Sequence, residues 1–241
     1  MKQRITISLN ENTLKKVDAT IGKNNIQNRS QAIEYLINNQ FLTNVKPKAI
    51  LLGGKKIEPK NIEYTLNKLE EAEVSELIIA GAKNNEMLSK IISSNKTFYK
   101  NHIFLKEEKN LGTAGAIKLA ENLLTTKFFV VYSDVRCDIS LKKMLETHNN
   151  SNKLCTMAIT LTTKKSEMTD AIKVKDNTIV SFEYKAKNPT NIQNSGIMIF
   201  EVEALDYFPT NGTLEYDVLP KLAQKSQITM YLFDNSWEHS D

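Results

Sequence analysis

Long hydrophobic runs are missing from this chain of 241 residues. No stretch approaches the roughly 18 to 20 apolar residues that a membrane-spanning helix needs, so no transmembrane segment and no membrane partner is expected. The start, Met1-Lys2-Gln3-Arg4-Ile5-Thr6, has no apolar core ahead of a small-residue cleavage site, which makes the cytoplasm the expected location. Cysteine is scarce: Cys137 and Cys155 are the only two, and 18 positions apart they match no metal spacing. Reduced, buried thiols are the expectation. What remains, 41% hydrophobic and 25% charged, is ordinary globular composition, with room for one large domain or a small one beside a medium one.

The net charge of +4 is small but lopsided. Residues 1–48 carry eight basic side chains against three acidic ones, whereas the rest carries 24 against 25. A polyanion such as DNA would suit the first segment, a solvated basic face being the alternative.

Within that segment, residues 4–9 alternate strictly. Ile5, Ile7 and Leu9 would share one face of a strand, with Arg4, Thr6 and Ser8 on the other. Asn10 is placed to cap a helix over 11–21 with Leu14, Val17 and Ile21 on one face, and Gly22 would end it. Ser30 would cap a second helix whose inner face is Ile33, Leu36 and Ile37. A lone short strand has no hydrogen-bond partner, so a two-fold mate would be needed to pair it.

In RITISLNENTLKKVD and NRSQAIEYLI the segment resembles the ribbon-helix-helix (Arc- and MetJ-like) DNA-binding family. The resemblance implies a homodimer joined through the N-terminal ribbon and bound to double-stranded DNA. Arg4, Thr6 and Ser8 would read base edges, while Arg29 and Ser30 would hold a phosphate at a helix start. A dimerisation module without DNA is the other reading.

From Lys48 the pattern changes. Ala49-Ile50-Leu51-Leu52 ends at Gly53-Gly54, and Leu77-Ile78-Ile79-Ala80 ends at Gly81; both look like buried parallel strands. Helical stretches over 61–71 and 85–92 separate them from His102-Ile103-Phe104-Leu105 and from Phe128-Phe129-Val130-Val131-Tyr132. Alternating strands and helices imply a parallel α/β sheet with ligands beyond the strand ends. Residues 154–200 turn strand-rich, with a hairpin turn at Asp176-Asn177, so antiparallel members are expected there.

The ordered blocks LLGG, NLGTAGAIKLA, VVYSDVRCDISLKKMLETH, NSGIMIFEVEALDYFP and LEYDVLPKLA resemble the sugar-phosphate nucleotidyltransferases, the nucleotide-sugar pyrophosphorylases. The fold class implied is α/β: a ribbon-helix-helix over 1–42, then, over 48–241, a Rossmann-like nucleotidyltransferase domain with a mixed, mostly parallel sheet. By that resemblance Gly53 and Gly54 would approach a nucleotide, and Gly112, Thr113 and Ala114 would edge its base. Asp134 would hold a metal, Lys185 would touch the sugar phosphate, and Asn194, Gly196 and Glu215 would line the sugar pocket.

The sequence departs from the family where the chemistry lies. The GxGTR loop is absent, Gly54 being followed by Lys55-Lys56-Ile57-Glu58-Pro59-Lys60. His239 stands where the family's YWxDxG segment carries a second metal-binding Asp, and Tyr184 replaces the Glu of the usual EKP. The expectation is therefore a DNA-binding transcriptional regulator with a catalytically degenerate domain. That domain would sense a nucleotide, sugar phosphate or nucleotide sugar, with no catalytic residue and no required cofactor, Mg²⁺ accompanying any bound nucleotide. The alternative is an active sugar-1-phosphate nucleotidyltransferase whose arm only dimerises.

Overall fold

The structure, a computed structural model, describes residues 6–22, 26–44, 46–53, 58–81, 85–95, 98, 101–164, 168–233 and 237–239. For 38–44, 85–87 and 237–239 it describes the backbone alone. The chain divides into two compact units, Met1–Val45 and Lys46–Asp241.

In the first unit Asn10 caps α1 (Glu11–Asp18), its Oδ1 accepting from Thr13 N at 2.8 Å. Gly22 then takes φ +87°, a left-handed conformation open to glycine, and its N–H donates to Ile26 O. The start of α2 (Arg29–Asn44) is capped by Asn28, whose Oδ1 accepts from Gln31 N at 3.0 Å. Gln31 Oε1 reaches back to Gln27 N at 2.7 Å. Ser30 thus lies in the first turn of the helix and is not its cap. Val17, Ile26 and Ala32 form a small core with Ile21, Ile33, Tyr35 and Leu36 packed beside it.

Two features differ from the expected ribbon-helix-helix. Residues 6–9 form no strand, with Ile7 and Leu9 exposed, while Arg4 and Ile5 lie outside the described residues. Arg29 does not project a free charge. Its Nε and Nη2 donate to Asp18 Oδ1 and Oδ2 at 2.7 and 2.9 Å, a bidentate pair that satisfies the guanidinium locally. The ribbon is therefore not shown.

The second unit is built on nine strands in the order β3-β2-β1-β4-β9-β6-β10-β8-β7. These are β1 (Lys48–Leu52), β2 (Glu76–Ala80), β3 (His102–Phe104), β4 (Phe128–Tyr132), β6 (Cys155–Leu161), β7 (Ala171–Lys175), β8 (Thr178–Glu183), β9 (Ile192–Phe200) and β10 (Ile228–Leu232). A separate short pair joins β5 (Val135–Cys137) to β11 (Trp237–His239). The sheet is mixed: β3, β2, β1 and β4 run parallel, and β9 enters antiparallel between β4 and β6. The expected hairpin is present as β7 and β8, with Asp176 at φ +54° in its turn.

Strands covered on both faces need apolar residues at every position, and this explains the unbroken runs. Ile50, Leu52, Ile78, Ala80 and Val130 face a core shared with α5 (Gly112–Leu119) and α7 (Leu219–Gln224). Ala49, Leu51, Leu77, Ile79, Phe129 and Val131 face α3 (Pro59–Glu71), α4 (Asn85–Ser94) and α6 (Leu141–Ser151). Each fully buried Leu, Ile or Phe adds about 1.5–3 kcal/mol from surface removed from water. Among the described residues no helix is long and apolar enough to cross a membrane.

Candidate functional site

Between β1 and β4 the strand order reverses, because β1 is followed outward by β2 and β3 while β4 lies on its other side. Such a switch point opens a crevice beyond the carboxyl ends of the strands. Gly53 stands there after β1, and Ser133 and Asp134 stand there after β4. The connection from β1 to α3 spans only 53–58, and Gly54 lies outside the described residues, as do Lys55 and Lys56. Gly53 N donates to Ala80 O at 2.8 Å and Ser133 N to Leu52 O at 2.9 Å. Those two amides are spent within the sheet and cannot cradle a phosphate.

A similar result holds at the start of α5. Ala114 N and Gly115 N both donate to Gly212 O, at 3.0 and 3.3 Å. Gly112, at φ +73°, approaches so closely that a Cβ there would fall 2.3 Å from Gly212 O. The amino end of α5 is thus capped by the loop 210–213.

Thr113 does reach into the site. Its hydroxyl accepts from Leu214 N at 2.8 Å and donates to Glu215 Oε2 at 3.3 Å. The other oxygen of that carboxylate, Oε1, accepts from Tyr132 Oη at 2.5 Å. Tyr132 is the last residue of β4. Burial first, then the charge and hydrogen bond of Glu215, push its phenol well above the usual tyrosine range; the charge of Asp134 adds to this. Gly196, at φ +80°, lies beside the ring: a Cβ there would sit 3.0 Å from Val135 Cγ2 and 3.4 Å from Tyr132 Cδ2.

On the antiparallel side, Asn194 N donates to Asp170 Oδ2 at 3.2 Å, and Gly196 N to Asn194 Oδ1 at 3.1 Å. Asp170 is 4% exposed. Burial, reinforced by the charge of Glu215, lifts its carboxyl to about 6 despite the bonds from Asn194 and Thr169. Tyr184 meets Tyr216 edge to face at 5.2 Å, and burial raises its phenol, with Glu215 and Asp170 adding to the shift. Lys185 holds a left-handed φ of +50° with Nζ 5.4 Å from the Tyr184 ring.

Of the residues expected to bind nucleotide or sugar phosphate, Thr113 and Glu215 touch directly. Asn194 and Gly196 join them through Asp170 and Tyr132, and Asp134 acts on the same tyrosine through its charge. Lys185 is tied to the group through Tyr184. Sequence reasoning missed Tyr132 and Asp170. Tyr132 had one visible signal, its place at the end of a buried apolar strand, two residues before Asp134. A hard carboxylate oxygen at a strand end is the donor chemistry that Mg²⁺ takes alongside substrate phosphates, so Asp134 fits that ion. His239 pairs across from Val135, next to Asp134, though its side chain lies outside the described residues.

A family model described as Nucleotidyl transferase matches residues 42–239. The mannose-1-phosphate guanylyltransferase catalytic subunit beta of Drosophila melanogaster is 28% identical over 195 residues, covering 77% of this chain and 53% of that protein. Its Xenopus tropicalis namesake is 29% identical over 181 residues, 72% and 50%. The chain therefore spans about half the length of the curated relatives it matches. Among solved structures, HddC from Yersinia pseudotuberculosis complexed with GMP-PN superposes with a TM-score of 0.64 at 22% identity, covering 80% of this chain and 93% of that one. The inositol-1-phosphate CTP transferase of T. maritima gives 0.64 at 18%, with 81% and 89% covered.

These relatives overturn the expectation of a DNA-binding transcriptional regulator with a degenerate catalytic domain. Their names are those of nucleotidyltransferases, and the family model that matches the chain is a nucleotidyl transferase. The physical reasons agree: Arg29 is committed to Asp18, and residues 6–9 present no ribbon. Double-stranded DNA is withdrawn as a partner.

Proposed function

The chain belongs to the nucleotidyl transferase family, and on that premise we propose that it transfers a nucleotidyl group from a nucleoside triphosphate to a sugar 1-phosphate. A phosphate oxygen of the sugar 1-phosphate attacks the α-phosphorus in line. The bond to the bridging oxygen breaks, and pyrophosphate leaves with its electron pair. The observation that carries the reading is Glu215, held by Tyr132 from the end of β4 and by Thr113 from the start of α5.

Thr113 sits on the nucleotide side, where α5 would meet the base. Glu215 and Asp170 face the acceptor and offer acceptors to its hydroxyls. Lys185, with Nζ 5.4 Å from the Tyr184 ring, suits the acceptor phosphate. Asp134 would hold Mg²⁺, which when bound offsets charge on the phosphates. With the β1–α3 connection so short, positive charge for pyrophosphate falls to Lys60 in the first turn of α3 and to Lys55 and Lys56 before it in sequence. A less complete cradle implies slower turnover than a long loop would allow.

The names of the relatives make GTP and mannose 1-phosphate the first pair to try. The full chain, incubated with Mg²⁺ and a matrix of nucleoside triphosphates and hexose 1-phosphates, should release pyrophosphate and form one nucleotide sugar in excess of the others. Absence of pyrophosphate release with every pair would sink the proposal.

A further inference from the structure

Tyr132 ends a strand whose four preceding residues are buried and apolar. Burying a phenol beside a carboxylate is unfavourable for packing alone, since both groups lose water. The 2.5 Å contact between Tyr132 Oη and Glu215 Oε1 lies in the range of a charge-assisted O–H···O⁻ bond. The second oxygen, Oε2, is held by the Thr113 hydroxyl, which the Leu214 amide fixes in turn.

An ionised carboxylate offers about four lone-pair positions. Two of those on Glu215 are taken, one on each oxygen, by Thr113 and Tyr132. The remaining two belong to a carboxylate that cannot rotate without breaking both bonds. Glu215 itself is half-buried, not enclosed. Two acceptor positions a carboxylate width apart match two neighbouring hydroxyls.

We propose that Tyr132 is a positioning residue: by holding Glu215 against Thr113, it aims the free lone pairs at adjacent hydroxyls of the acceptor sugar and so sets selection against deoxy sugars. This rests on the sugar 1-phosphate reading above. A site built to receive a hydroxyl strongly rejects the analogue lacking it, because a desolvated acceptor is left unpaired. Tyr132 never meets the reacting phosphorus and acts only through Glu215.

The test compares the full-length protein with Tyr132→Phe, using the preferred hexose 1-phosphate and its four monodeoxy analogues at C2, C3, C4 and C6. The wild type should reject at least one analogue by about a hundredfold or more in kcat/KM. Tyr132→Phe should raise KM for the hydroxylated acceptor about tenfold, leave KM for the nucleotide within about twofold, and shrink the rejection ratio at least tenfold. Thr113→Val should shrink the same ratio, and Thr113→Ser, which keeps the hydroxyl, should restore it; this pair serves if Tyr132→Phe does not fold. A ratio unchanged in Tyr132→Phe and Thr113→Val, whatever happens to overall rate, overturns the proposal and leaves the nucleotidyltransferase reading intact. A wild type inactive with every acceptor removes both.

Discussion

Lys127 Nζ stands 2.9 Å from Glu201 Oε1 with 4% of the lysine side chain exposed, just before β4 and just after β9. Asn149 Oδ1 accepts a second bond from the ammonium at 2.7 Å, and His148 Nε2 approaches the same glutamate oxygen at 3.2 Å. Removing one partner strands the other charge. Glu201→Gln should therefore destabilise the protein by about 3–5 kcal/mol, whereas the paired change Lys127→Met with Glu201→Leu should cost far less. Urea unfolding of the two variants beside the wild type decides this, and equal losses would contradict it.

The same cluster sets the acid limit of stability. Burial alone would raise the Glu201 carboxyl, but the bonds from His148 and Lys127 bring it down to about 2. Its contribution is present above the ordinary value of 4.5 and is lost as pH falls from there towards 2. Burial holds the His148 imidazole below its ordinary 6.5, so the unfolded chain takes that proton first and stability begins to erode below this pH. Melting temperature should be flat between about pH 7 and 8 and decline on acidification. In Glu201→Gln the decline between pH 4.5 and 2 should largely vanish.

Asp170 has the opposite sign. Its carboxyl, lifted to about 6 chiefly by burial, makes ionisation costly in the folded state. The penalty grows as pH rises from about 4 to 6 and then stays constant. Asp170→Asn keeps an acceptor for Asn194 N and removes the charge. It should be more stable than wild type by about 2 kcal/mol at pH 8 and equal to it near pH 4. Chemical denaturation at both values tests this, and acceptor affinity should fall in the same variant because a carboxylate facing the sugar is lost.

Gly112→Ala should be among the most damaging single-methyl changes in the molecule. The added Cβ would meet Gly212 O at 2.3 Å in a backbone conformation with φ +73°. Something must shift, and the loop 210–213 that caps α5 is what gives way. A loss of about 3 kcal/mol or more is expected, with faster hydrogen exchange at Ala114 and Gly115. Unchanged exchange at those two amides would show that the cap is not needed.

Asp134→Asn should lower kcat by about a hundredfold or more while leaving the melting temperature within a few degrees. Chelation of divalent cations should stop turnover in the wild type. A variant that turns over normally would move the metal elsewhere.

Much of the second unit was legible because its signals are local. Apolar runs ending in glycine mark β1 and β2, and Asp176-Asn177 marks the turn between β7 and β8. Asn10 as a cap was equally readable, since the bond to Thr13 spans three residues. The first unit shows the limit of such signals. Alternation and caps suggested a DNA-reading ribbon, but strand pairing is not a property of one short segment. The charge of Arg29 was answered by Asp18, eleven residues away across a turn.

By itself, then, the sequence determined which segments are buried strands, which are helices and where the chain turns, because periodicity, capping and turn chemistry act over a few residues. It also determined that a glycine follows β1 and an aspartate follows β4 at the strand ends. Only the tertiary structure decided that β9 would lie beside β4, that Gly53 and the start of α5 would spend their amides internally, and that Asp170 would be buried facing Glu215. Tyr132 and Glu215 are 83 residues apart in the chain, and Thr113 and Glu215 are 102 apart. No local rule couples positions so distant; sheet order and the close approach allowed by Gly112 and Gly196 bring them into one hydrogen-bonded group.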